Sequence, residues 1–120
     1  MKTNLNNLLV IEDNPYIGQK IVNAAKKING IKNIYLSESL KEAFSFLNKS
    51  NFEIITLDLS LPDGNGIEVL KWLKEKKTDK KVFVFSTSTE LKQMCLKYGA
   101  LAFFDKANDF DDLIENIKYA

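Results

Sequence analysis

Five polar residues in this sequence share one local setting: each closes or follows a short apolar run. Glu12 and Asp13 follow "LLVI" (residues 8–11), Asp58 follows "IITL" (54–57), Ser86 closes "VFVFS" (82–86), and Lys106 stands just past "LAFF" (101–104). Brought to one place, they would offer three carboxylates, a hydroxyl and an ammonium. Carboxylates about 5 Å apart at an effective dielectric of about 20 repel by roughly 3 kcal/mol per pair, so positive charge must offset them. Lys106 supplies one such charge. A hard divalent cation is the natural second, because a donor set of oxygens without His or Cys selects Mg²⁺ over zinc. Asn14 suffices to cap the segment that follows, which leaves both Glu12 and Asp13 for the cation. The loop after Asp58, "SLPDGNG" (60–66), joins a proline that sets a turn to two glycines that let backbone approach an ion or a phosphate closely. A carboxylate nucleophile beside such a loop suits phosphoryl transfer.

Composition narrows the chemistry further. The chain has 120 residues, 45% apolar and 28% charged, which suits one compact domain with a single core. Histidine is absent, removing the commonest general base and transition-metal ligand. All 17 basic residues are lysines, and the net charge is +1. Without arginine, the usual reader of guanine and of bidentate phosphate, no direct nucleic-acid partner is expected. The longest of the apolar runs is too short for a membrane span or a signal segment, so the expected compartment is the cytoplasm, with no membrane partner. Cys95, in series with Leu91, Met94 and Tyr98, reads as core packing. The lysine-rich stretch "KEKKTDKK" (74–81) reads as a solvated helix end.

The elements that must position the polar residues alternate in type. The runs at 8–11, 34–36, 54–57, 82–85 and 101–104 lack polar alternation, as parallel strands covered on both faces do. "IYL" (34–36) is the shortest and has polar flanks, which predicts an edge strand. Between the runs, apolar residues recur at helical spacing. Ile17, Ile21, Ala24, Ala25 and Ile28 follow an Asn14 cap and a first-turn Pro15. Leu40, Ala43, Phe44 and Leu47 follow Ser39, whose spacing to Glu42 fits a capping box. Ile67, Leu70 and Leu73 form a third series, residues 91–98 closed by Gly99 a fourth, and Phe110, Leu113, Ile114 and Ile117 a fifth behind Asp109, Asp111 and Asp112. Five strand–helix repeats predict an α/β fold: a doubly wound, five-stranded parallel sheet with helices on both faces. In such sheets the strands deliver their last residues to one edge, where ligands bind.

These motifs together resemble the receiver domain of two-component response regulators, over essentially the whole chain. The resemblance rests on "VIEDN" (10–14), "LDLSLPDGNG" (57–66), "VFVFS" (82–86) and "GALAFFDK" (99–106). It implies a CheY-like, flavodoxin-like three-layer sandwich with strand order 2-1-3-4-5, spanning residues 1–120 as one domain with a core of about 7–119. It further implies that Asp58 accepts a phosphoryl group from the phosphohistidine of a sensor histidine kinase or histidine phosphotransfer protein. Mg²⁺ would be held by Glu12, Asp13, Asp58 and the Ser60 carbonyl. Ser86 would bond the phosphoryl oxygen, Lys106 would pair with it, and Ser86 and Phe103 would form the switch, lying at the ends of neighbouring strands. Ser60, Thr87 and Ser88 would modulate the site. Such a chain is not an enzyme beyond self-catalysed phosphotransfer and autodephosphorylation.

Two positions depart from the family pattern. Ala107 stands where proline usually follows the lysine, which predicts a trans bond there, and Thr87 stands where a smaller residue is common, which predicts crowding of the phosphate pocket. These two residues also support an alternative, a degenerate receiver acting as a phosphorylation-independent interaction module. A Mg²⁺-dependent phosphohydrolase is disfavoured because Ser60 occupies the place of its acid/base aspartate. A flavin carrier is disfavoured because no Ser/Thr-rich loop follows the first strand. No output domain is visible after the fifth helix, so output is expected through a downstream protein bound at the face of the fourth helix, fifth strand and fifth helix (91–98 and 109–118), or through onward phosphorelay.

Overall fold

The computed structural model describes residues 6–120. Its main sheet has five strands: β1 (Asn6–Ile11), β2 (Ile31–Ser37), β3 (Ile54–Leu57), β4 (Lys81–Ser86) and β5 (Ala102–Asp105). All pairings are parallel, in the order β2-β1-β3-β4-β5, which is the 2-1-3-4-5 order expected. A two-residue hairpin, Ser60–Leu61 against Gly64–Asn65, stands apart from the sheet. The helices are α1 (Pro15–Ala25), α2 (Leu40–Lys49), α3 (Ile67–Glu75), α4 (Lys92–Lys97) and α5 (Phe110–Lys118).

Successive strand residues point to opposite faces, and the sequence supplies apolar side chains to both. Leu9, Ile11, Ile55, Leu57, Val82 and Val84 pack with Leu40 and Ala43 of α2, Ile67, Leu70 and Leu73 of α3, and Cys95 of α4. Leu8, Val10, Ile54, Phe83, Phe85 and Phe104 pack with Ile21, Val22 and Ala25 of α1 and Leu113 and Ile117 of α5. Two apolar layers therefore flank the sheet, and burying each large side chain contributes about 1.5–3 kcal/mol. Cys95 lies in the first layer, fully buried, as its helical spacing predicts.

Three local expectations change. β2 is indeed an edge strand, but at seven residues it is the longest rather than the shortest. Pairing on one side only leaves Lys32 and Asn33 exposed within the strand, and such residues break an apolar run without breaking a strand. The fourth helix is not one unit over 91–98: a 3₁₀ turn at Thr89–Leu91 leads into six α-helical residues. Gly99, at φ +101°, ends it in the left-handed conformation that glycine adopts readily. At the start of α2, Ser39 Oγ accepts from the Glu42 amide as predicted, but the Glu42 carboxylate reaches the amide of Glu38 rather than that of the cap. Among the described residues, no helix is long and apolar enough to cross a membrane.

Candidate functional site

Parallel pairing sends the ends of β1, β3, β4 and β5 to one edge of the sheet, and the strand order makes β1 and β3 neighbours at its centre. Glu12 and Asp58 each leave their strand one residue after the last pair, Ile11 with Leu57. The Asp58 amide still donates to the Ile11 carbonyl, at 2.9 Å. Glu12 is 1% exposed and Asp58 3%, whereas Asp13 turns outward into solvent. Carboxylate oxygens of all three lie within 4.8 Å of one another.

Lys106 arrives from the far side. Its residue follows β5, two strands away from β3, or about 10 Å at 4.8 Å per strand, and only a long side chain spans that gap. The ammonium crosses the ring of Phe85, 5.9 Å from its centroid. It reaches Glu12 Oε1 at 2.9 Å and Oε2 at 3.1 Å, and Asp58 Oδ2 at 3.2 Å. One cation thus bridges two buried carboxylates. Burial is the largest influence on Glu12 and pushes its carboxyl up to about 7, with the Lys106 hydrogen bond pulling down and the Asp58 charge pushing up. Burial raises Asp58 as well, against the pull of the Lys106 charge. Both carboxylates are therefore short of compensating charge, the condition a bound cation relieves.

The loops are tied down by amides and small side chains. The Asn14 amide donates to Glu12 Oε2 at 3.2 Å, while Asn14 Oδ1 caps α1 by accepting from Tyr16 and Ile17. The Ser60 amide donates to Asp58 Oδ1 at 3.3 Å. A Cβ on Gly66 would collide with the Asp58 backbone carbonyl oxygen, so only glycine lets this turn pass so close to the backbone of the acceptor strand's end. Lys106 is held in turn by its backbone amide, which donates a hydrogen bond to the Ser86 carbonyl at 3.0 Å. The next peptide is trans, as predicted for Ala107, and the Ala107 amide donates to Asp105 Oδ1 at 2.9 Å. Proline could not make that bond, so an aspartate turn shapes this loop instead.

An open cleft of about 420 Å³ gathers Glu12, Asp13, Asp58, Ser60, Thr87 and Lys106. Thr87 stands exposed at its rim. Ser86 is 1% exposed; its Oγ accepts from the Ser88 amide at 3.0 Å, which keeps its proton available for donation. Ser88 lines an adjoining hollow with Leu59 and Ser60. The expectation that Ser86 and Phe103 end neighbouring strands needs correction. The register pairs Ser86 with Asp105 and Phe103 with Val84, so the ring lies two residues back from the edge. The "LAFF" run (101–104) sits one residue ahead of the strand, Ala102–Asp105, and so does not give its register. Phe103 shares the Ser86 face of the sheet and packs, half-buried, on the layer containing Val84 and Cys95.

The sequence reading missed residues that hold the site without entering it. Asp63 accepts from the amides of Leu40 and Lys41 at 2.8 and 3.0 Å, clamping the hairpin after Asp58 to the start of α2. Asn65 Oδ1 accepts from the Ile67 amide at 2.9 Å, satisfying the first amide of α3 from one residue before its Gly66 cap. Asp109 Oδ2 accepts from the Asp105 amide rather than capping its own helix. The turn residues in "PDGNG" signalled local bonds. That Asp63 spans to a helix 23 residues away had no local sign.

Known proteins resemble this chain in sequence and in fold. A sequence model of the response regulator receiver domain matches residues 8–118. The cell cycle response regulator CtrA of Brucella ovis is 32% identical over 92% of this chain and 47% of its own length. The transcriptional regulatory protein MalR of Bacillus subtilis is 29% identical over 88% of this chain and 46% of its own. The chain thus spans about half the length of these curated relatives. Among solved structures, the receiver domain of Francisella response regulator 1452 is 32% identical, covering 95% of this chain and 96% of its own with a TM-score of 0.83.

Proposed function

Because the chain belongs to the response regulator receiver domain family, we propose that it is a phosphoacceptor whose Asp58 takes a phosphoryl group from the phosphohistidine of a sensor kinase or histidine phosphotransfer protein. The observation that carries the reading is the pairing of a 3% exposed Asp58 with Lys106 at 3.2 Å, inside a cleft that holds two further carboxylates. An Asp58 carboxylate oxygen attacks phosphorus. The new O–P bond forms as the N–P bond breaks, and its electron pair leaves with the donor's imidazole. The absence of histidine from this chain accords with its accepting rather than donating.

Charge governs this transfer, since an anion attacks an anion. The oxygen-only donor set of Glu12, Asp13 and Asp58, short of positive charge, fits Mg²⁺, with the Ser60 carbonyl as a further ligand. Bound there, the ion would supply charge neutralisation for the transferring phosphoryl group. Lys106 transfers its contact from Glu12 to the phosphoryl oxygens, and the free proton of Ser86 donates to one of them. Thr87 at the rim limits approach from solvent. Drawing Ser86 toward the phosphoryl group opens space on the face it shares with Phe103, whose ring moves deeper against Val84 and Cys95. The ring has no hydroxyl to hold it outward in water, so the inward pose is already partly populated and the switch is weakly biased. The signal leaves through α4, β5 and α5 to a downstream protein, or through onward phosphorelay, in the cytoplasm.

Backbone NMR with Mg²⁺ and beryllium fluoride, a stable phosphoryl mimic, tests the reading. Amides of Ser60, Thr87 and β5 should shift together, and in Ser86→Ala those at β5 should respond less while those at Ser60 persist. A spectrum indifferent to the mimic contradicts the acceptor role. A response confined to residues around Asp58 contradicts the switch and leaves a relay or sink.

A further inference from the structure

Residues 71–81, "KWLKEKKTDKK", hold six lysines and two acidic residues, a net +4. The whole chain is +1, so the remainder carries −3. The phosphoacceptor reading leaves this stretch unused. It spans the end of α3 and the start of β4, at the sheet edge opposite Asp58. Helix C-termini attract lysines, yet the arrangement here exceeds that requirement. Glu75 and Asp79 lie within the stretch, but among the described residues only Lys106 comes within 4.0 Å of a carboxylate.

The lysines surround something. Lys74, Lys77 and Lys80 line a hollow of about 180 Å³ whose apolar walls include Leu73, Val82 and Tyr98. Lys71 adds its ammonium 5.2 Å from the Tyr98 ring centroid. Lys77 also occupies an unusual backbone position. At φ +55° it is the one described residue other than glycine in the left-handed region, where α4 uses Gly99 for the same helix-ending job. A side chain there costs backbone energy that glycine avoids. What lysine adds in exchange is charge at the mouth of the hollow.

We propose that this hollow docks an acidic protein segment, which inserts one apolar side chain against Leu73, Val82 and Tyr98 while its carboxylates pair with Lys74, Lys77 and Lys80. The charge complements such a segment, and the volume suits one side chain. A nucleic-acid backbone would bring charge without an apolar group, and the chain lacks the arginines that grip phosphate bidentately. The docking is separate from Asp58 and does not depend on its phosphorylation.

Fluorescence anisotropy with a labelled short peptide of Asp and Glu around a single Leu tests this. The same peptide with Ser in place of Leu should bind about tenfold more weakly, because it buries no apolar side chain. Lys77→Gly keeps the left-handed turn and the fold, so its melting temperature should not fall while its affinity drops severalfold. Lys74→Gln should act in the same direction. Equal binding of the Leu and Ser peptides overturns the proposal, as does unchanged affinity in Lys77→Gly. Displacement of the peptide by duplex DNA at matched charge would also overturn it, since the patch would then be a diffuse polyanion surface.

Discussion

Glu12 and Asp58 are two nearly buried carboxylates that share one ammonium, while a third carboxylate, Asp13, adds charge from the open side of the cleft. Each residue type is ordinary; their gathering within 4.8 Å is not, because like charges brought together repel. A cation that binds only the folded chain stabilises it by RT ln(1 + [L]/Kd), about 2.7 kcal/mol at a hundredfold excess over Kd. Millimolar Mg²⁺ should therefore raise the melting temperature, and Asp13→Asn should shrink the rise. A melting curve indifferent to Mg²⁺ would count against the site. At this scale the sequence was informative because the strand ends name the residues that reach the cleft. It brought Lys106 to the carboxylates but could not say that the ammonium bridges Glu12 and Asp58. Nor could it give the register that sets Phe103 opposite Val84.

Between the elements, the hairpin after β3 is fixed from both sides. Gly66 passes so close to the Asp58 carbonyl that an added methyl must move backbone rather than side chain. Gly66→Ala should cost at least about 2 kcal/mol, read as a lower urea midpoint; an unchanged midpoint would mean the turn has room that the geometry denies. Asp63 clamps the hairpin to α2, and its bonds to the amides of Lys41 and Leu40 hold its carboxyl below the ordinary aspartate value of 3.8. The sign follows from the depressed folded value. The unfolded chain binds the proton more readily, so this contribution to stability is present above about 3.8 and is lost as the pH falls through the folded value. Asp63→Asn should lower the melting temperature at neutral pH and flatten the decline on the acid side; an acid limb as steep as that of the native chain would contradict the clamp. Four of the five helices and the order of elements were legible in apolar spacing and caps, as at Asn14 and Pro15. The split at Thr89–Leu91 was not, since Leu91, which opens the apolar series, closes a 3₁₀ turn instead of starting the α-helix. The length of β2 was not, because an edge strand tolerates polar residues that end an apolar run.

At the scale of the molecule, parallel topology turns chain order into function. The carboxyl edge collects Glu12, Asp13, Asp58, Ser86 and Lys106 from four strands, while the opposite edge collects the lysines of residues 71–81. The fold is thus chemically polarised along its strands, with the acidic end read as the phosphoacceptor and the basic end as a docking surface. Whether Asp58 is the acceptor can be read from the intact mass of the chain. After incubation with acetyl phosphate and Mg²⁺, the native chain should gain the mass of a single phosphoryl group, lost again in mild base as an acyl phosphate is, and Asp58→Asn should gain none. A base-stable adduct, or an equal gain in Asp58→Asn, would contradict the account.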